Sequence, residues 1–311
     1  MIQALSVILG NRLTLSPVPV TVYLFAGDVE ASMKNEPVKH HYIPQFILRN
    51  YAVNTSGQVI FLDKATGKER LLDTRSIFMA RNLYRDEEDF PDNPVQIEED
   101  LARYERQISQ LLRTRFLSDY DFTISRDDAE ALKLFLAIMG FRALRTSVSF
   151  TGRNAVDYWK RNLSLLVNCR SLQDVLAQDG IDGAIKVFMM RDAWGLTGRF
   201  ISVVESPAGE FILSDAYPVD FFGYLPNNIP MPMYSFFPIS PQRAIILACK
   251  GVQAAPRDVL QVRKLVFYEP PCKEESIKIR VKKLFPEEIQ YLNSAVLKEA
   301  NQGCILPPGG V

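Results

Sequence analysis

The sequence predicts an α+β fold, mainly a helical bundle packed against a small antiparallel sheet. Two observations predict it. The patterns run hairpin, long helices, then strands again, which is not the alternation of βαβ units. Residues 132–144 are apolar on almost every side, which marks a central buried helix.

The elements follow in order. Residues 57–63 are rich in β-formers and run into the turn Lys64, Ala65, Thr66, Gly67, followed by a second run at 68–72. Asp63 is expected to stabilise that turn through its side chain. Residues 85–94 read as an acidic loop. A helix then starts near Val95, where Ile97, Leu101, Tyr104, Ile108 and Leu111 or Leu112 form one stripe. Glu98, Glu99 and Asp100 in its first turns, and Arg113 and Arg115 in its last, suit the helix dipole.

Ser125 with Asp128 resembles a capping box at the start of the apolar helix, which ends with Arg142, Arg145 and Thr146. Further helices are expected at 158–167, from 171, at 256–268 and at 286–300, the last with Pro286 at its first position. Residues 199–205 and 209–213 read as a hairpin, 217–233 as a long proline-rich loop, and 243–248 as a strand. Residues 303–311 read as a disordered tail.

This gives a single α+β domain over residues 33–302. The stretch 1–32 reads as a non-native or disordered extension, with Met33 as the true start; a degenerate export signal is the competing reading. Its apolar blocks are broken by Asn11, Arg12 and two prolines and fall short of the roughly 18–20 residues a spanning helix needs.

Lysine plus arginine equals aspartate plus glutamate at 36 each, so the charge balance does not ask for a nucleic-acid partner. The charges are locally segregated, acidic over 86–105 and basic over 273–283, as solvated faces commonly are. The four cysteines, Cys169, Cys249, Cys272 and Cys304, are far apart and form no metal or disulfide framework, which suits a reducing, cytoplasmic setting. No phosphate loop, dinucleotide turn, nucleophile elbow or H-E-x-x-H helix occurs, which argues against the common ATPases, dehydrogenases and serine hydrolases.

What remains is residues 39–51, which hold the only two histidines, His40 and His41. Imidazole is the commonest general base and a common divalent-metal ligand. Adjacent side chains of an extended segment point to opposite faces, so only one should enter a given site. Pro44 fixes the backbone that follows. The alternative is that His41 hydrogen-bonds a backbone carbonyl while Tyr42, Phe46 and Leu48 simply pack. Asp215, at a strand end opening into a loop, is a second candidate, as a ligand or catalytic carboxylate or as a turn cap.

These stretches carry a resemblance. His40-His41-Tyr42-Ile43-Pro44-Gln45-Phe46-Ile47-Leu48-Arg49 is similar to the opening H-Y-V-P-x-F-x-L-R pattern of the bacterial family called domain of unknown function 4238. Phe61-Leu62-Asp63-Lys64-Ala65-Thr66-Gly67-Lys68 resembles its V-Y-D-K-x-T-G-K segment, and Ser214-Asp215-Ala216-Tyr217-Pro218-Val219 its S-D-N-P-V motif with one residue inserted. Arg145-Thr146 falls where the family has Arg-Thr-Pro, with Ser147 in place of the proline. The resemblance implies a fold unit and no established activity, and it gives weight to His41, Arg145 and Asp215.

The expected function is accordingly a metal-assisted hydrolase of phosphodiesterase or nuclease type. His41 would act as base or ligand, Asp215 as ligand, Arg145 as phosphate clamp and His40 as a further ligand candidate for a divalent metal. The alternative is a non-catalytic binding or interaction module in which the histidine motif is structural and the 217–233 loop is the contact surface.

Overall fold

The computed structural model describes residues 39–142 apart from 86, 88–90 and 119, residues 199–249 apart from 225–229, and residues 276–309. The expected helices at 158–167, from 171 and at 256–268 lie outside the described residues, as do the extension 1–32 and Arg145.

The described residues carry twelve strands in three sheets and four α-helices. The fold is therefore mostly sheet, and the expected helical bundle is not built. The helices advertise themselves locally through their apolar rhythm. Several strands instead owe their existence to partners remote in sequence, which no local pattern records.

The first sheet has two strands, β1 (Lys39–His41) and β4 (Met79–Arg81), with His40 opposite Ala80 and His41 opposite Met79. A short helix α1 (Gln45–Arg49) follows Pro44. The second sheet has the order β3 (Glu69–Asp73), β2 (Gln58–Asp63), β12 (Gly303–Leu306) and β7 (Leu213–Ser214), and β2 and β3 form the predicted hairpin. Asp63 accepts the Thr66 N–H at 2.9 Å, so it does hold the turn, and Gly67 supplies the positive φ of +65°.

Helix α2 (Gln96–Leu111) sets its predicted stripe inward. Strand β5 (Asp121–Ser125) leads directly into α3 (Arg126–Arg142). Ser125 Oγ accepts the Asp128 N–H at 3.0 Å, as the capping signal requires.

The third sheet has the order β5-β11-β6-β10-β9-β8. Its members are β6 (Arg199–Glu205), β8 (Val219–Tyr224), β9 (Pro230–Pro238), β10 (Arg243–Cys249) and β11 (Ser276–Lys283) together with β5. All of its pairings are antiparallel except that of β11 with β6.

Two stretches differ from expectation here. Residues 217–233, expected as loop, supply β8 and the start of β9; β8 does alternate, with Val219, Phe221 and Gly223 buried and Asp220 and Phe222 less so, whereas every described position of β9 is buried and leaves that strand without the two-residue pattern. Residues 209–213 do not pair with β6. Instead β7 (Leu213–Ser214) pairs with β12.

After α4 (Pro286–Glu299), which starts at Pro286 as predicted, residues 303–311 do not begin as a disordered tail. Gly303–Leu306 form β12, buried at every position between β2 and β7. The Cys304 thiol is sealed there, and burial pushes its pKa up to about 12.

Two apolar clusters hold these layers. One gathers Tyr42, Ile43, Ile47, Leu48 and Tyr51 of the histidine motif with the stripes of α2 and α3. The other packs the faces of β8, β9 and β10 on Ile289, Leu292 and Val296 of α4. No helix of the described residues is long and apolar enough to cross a membrane.

Candidate functional site

The histidines leave β1 on opposite faces, as the strand period requires. His40 is fully buried. Its Nδ1 accepts the Tyr84 N–H at 3.0 Å, and the two rings stack with centroids 5.4 Å apart. His41 is half-buried, with Nε2 3.2 Å from the Thr74 carbonyl oxygen and 3.4 Å from the Gln45 amide nitrogen.

A carbonyl only accepts and an amide nitrogen only donates, so one ring nitrogen cannot serve both. The shorter contact sets the hydrogen on Nε2 and leaves the lone pair on Nδ1. The Gln45 amide is fixed independently, because its oxygen accepts from Arg49 Nη2 at 2.8 Å. Burial lowers the pKa of His41, outweighing the Thr74 bond, and the charges of Arg142 and Arg49 add to the lowering. His41 is therefore neutral near pH 7.

The arginine that reaches this motif within the described residues is Arg142, the last residue of α3. It is buried, donates from Nη2 to the His41 carbonyl at 2.7 Å and from Nε to the Tyr84 hydroxyl at 2.8 Å, and pairs through Nη1 with Glu105. Glu98, two helical turns before Glu105 on α2, completes the centre. Burial raises its carboxyl to about 7, against the opposing pull of Arg142, and its Oε2 has no hydrogen-bond partner among the described residues. Arg142 thus links the main chain of the histidine motif to a carboxyl that titrates near neutrality.

Sequence reasoning missed Arg142, Tyr84, Glu105 and Glu98. The one signal for them was the charged residue closing an otherwise apolar helix, a position from which an arginine ordinarily reaches solvent.

Asp215 lies in the turn after β7 and is buried. Its Oδ1 accepts the Asn301 N–H at 2.8 Å and its Oδ2 the Gln302 N–H at 2.9 Å, which fixes the chain between α4 and β12. Gln302 Nε2 in turn reaches the Tyr42 hydroxyl at 3.5 Å, so the two motifs meet through a shared neighbour, while His41 and Asp215 make no direct hydrogen bond to each other. Arg145 lies outside the described residues. Among the described residues no three His, Cys, Asp or Glu side chains are grouped to hold a metal ion.

Comparison with known proteins finds no match among curated proteins and none among solved structures. The family described as a protein of unknown function, DUF4238, matches residues 39–305. That span begins at β1, ends within β12 and takes in the histidine motif, the hairpin and the Asp215 turn alike; the chain belongs to this family.

Proposed function

We propose that the chain is a non-catalytic binding or interaction module in which the histidine motif is structural. One observation carries this reading: His40 and His41 each direct one ring nitrogen, and Asp215 both carboxylate oxygens, to the main chain of another segment. The partners are the Tyr84 N–H, the Thr74 carbonyl, and the Asn301 and Gln302 N–H groups. Side chains that satisfy buried backbone groups tie elements together, and their loss leaves those groups unpaired. The buried free thiol of Cys304 is in keeping with a reducing, cytoplasmic setting.

A second reading is favoured by the state of His41. An unprotonated imidazole with its lone pair on Nδ1 is the form a general base or a metal ligand needs. On that reading the chain is a metal-assisted phosphodiesterase or nuclease, with His41 and Asp215 as ligands or base and Arg145 as phosphate clamp.

The two part in one experiment. Metal content, turnover of a nucleic-acid and phosphodiester panel, and thermal melting are measured for wild type, His41→Ala and Asp215→Ala. The module predicts no turnover that separates the proteins and lowered melting in both variants. A substrate turned over by wild type and lost in His41→Ala, with melting unchanged, overturns it in favour of the hydrolase.

A further inference from the structure

A cleft of about 400 Å³ lies where the end of α1, the segment following α2 and the turns beside β6 and β10 meet. Neither reading of the histidine motif uses it.

The charge of its walls limits what it can hold. Among the described residues that line it, only Glu205 and Arg243 are ionised. They are register partners on β6 and β10 and close on each other at 3.0 Å, each side chain only 6% exposed. The cleft is therefore neutral. An anion brought to Arg243 meets Glu205, a cation brought to Glu205 meets Arg243, and neither recovers what it loses on leaving water.

A neutral ligand remains, and the polar groups of the walls say what it must carry. Arg243 Nη1 is a buried donor with no hydrogen-bond partner. Asn50 spends its Nδ2 on the Ile239 carbonyl at 2.7 Å, which leaves its side-chain oxygen as an acceptor. The exposed carboxamide of Gln242 adds one more donor group and one more acceptor. The ligand has to accept at one point of its edge and donate at another.

Tyr120 supplies the remaining demand. Its ring is 56% exposed, with the Arg243 guanidinium 4.6 Å from the centroid. Lys283 Nζ lies 5.5 Å from the same centroid, on an exposed and flexible side chain that can swing away. Turning the ring outward uncovers Nη1 and offers an aromatic face to the ligand. A peptide is also neutral and polar, but β6 lies between β11 and β10, and β10 between β6 and β9, so neither strand has an edge on which a peptide could form a ladder. A sugar ring meets every demand. It is uncharged, its hydroxyls both donate and accept, and its C–H face lies flat on an aromatic ring.

We infer that the Tyr120–Arg243–Glu205 cleft binds a neutral carbohydrate, with the sugar's C–H face on Tyr120 and its hydroxyls shared between Arg243 and the Asn50 and Gln242 amides. The site stands whether the histidine motif is structural or catalytic.

The test is saturation-transfer NMR on the full chain. The probes are the methyl glycosides of glucose, galactose, mannose and N-acetylglucosamine, with cellobiose, maltose and chitobiose. At least one should bind saturably, with an affinity that holds as sodium chloride is raised, because the ligand carries no charge to screen. Inorganic phosphate, adenosine monophosphate and trialanine serve as competitors and should not displace it. Tyr120→Ala should weaken binding roughly twofold to tenfold, and Tyr120→Phe should bind as wild type. Gln242→Ala should weaken it by a roughly similar factor through the lost hydrogen bonds. If Tyr120→Ala lowers melting, Gln242→Ala, at an exposed position, decides the matter. No sugar bound by wild type, displacement by any of the three competitors, or undiminished binding by both Tyr120→Ala and Gln242→Ala overturns the proposal.

Discussion

Arg142 at the end of α3 donates to the main-chain carbonyl of His41 at 2.7 Å, so the orientation of the histidine motif is set from a helix remote in sequence. The same guanidinium holds the Tyr84 hydroxyl and pairs with Glu105. A planar group with five fixed donors can serve three acceptors at once; an ammonium cannot do so in the same geometry.

Replacing Arg142 by Met should destabilise the fold by about 3 kcal/mol, because Glu105 and the His41 carbonyl would lose their donor in a buried setting. Arg142→Lys should recover only a minor part of that. Urea unfolding of the three proteins checks this, and a lysine variant as stable as wild type would remove the geometric argument.

Glu98 supplies a pH dependence with a definite sign. Its carboxyl moves from an ordinary value of 4.5 to about 7 on folding, chiefly through burial. Between those values the folded state binds more protons than the unfolded one, so this group makes stability fall as pH rises through the window, and level off above it. Glu98→Gln should therefore gain up to about 3 kcal/mol over wild type near pH 8 and almost nothing near pH 4. His41 acts in the opposite sense, since its lowered pKa makes stability fall as pH drops below its ordinary 6.5. The difference between variant and wild type across a pH series isolates the Glu98 contribution.

Asp215 should behave as a clamp. Asp215→Ala removes the buried carboxylate that accepts from the N–H groups of Asn301 and Gln302, and should cost about 2 kcal/mol. The loss should be local before it is global. Amide hydrogen exchange in β12 should rise in the variant more than exchange in β10, which Asp215 does not touch. Equal acceleration in both strands would mean that Asp215 is not what holds β12 in place.

How legible these parts were follows from where their causes lie. Pro44 with Tyr42, Ile43, Ile47 and Leu48 made the motif readable, and all of those apolar residues are buried as a packed motif requires. The Asp63–Gly67 turn was readable because its chemistry is contained in five adjacent residues. Arg142 was not, because an arginine ending a helix usually reaches solvent, and Tyr84 and Glu105, which keep it inside, are far away in sequence. Glu98 fitted the helix dipole so well that its position in the first turn gave no hint of burial. The mostly sheet character escaped for the same reason: β12 is a strand because β2 and β7 flank it, and its four residues followed by Pro307 and Pro308 look like an end.

Gly303 tests that placement of β12 directly. A Cβ at this position would collide with the Leu62 carbonyl oxygen and press on the Phe61 ring, both on the neighbouring strand β2. The Leu62 oxygen belongs to the backbone of a paired strand, so it cannot yield as the end of a flexible side chain would. Gly303→Ala should thus force β12 away from β2 and cost about 3 kcal/mol, near the upper end of single-substitution effects. Gly67→Ala is the control. It sits at φ +65° with nothing within 4 Å of its added Cβ, so it should cost only the 1–2 kcal/mol or so of a left-handed backbone. Chemical denaturation of the pair distinguishes crowding from backbone strain: a Gly303 variant no less stable than the Gly67 variant would mean that β12 does not lie against β2 as described.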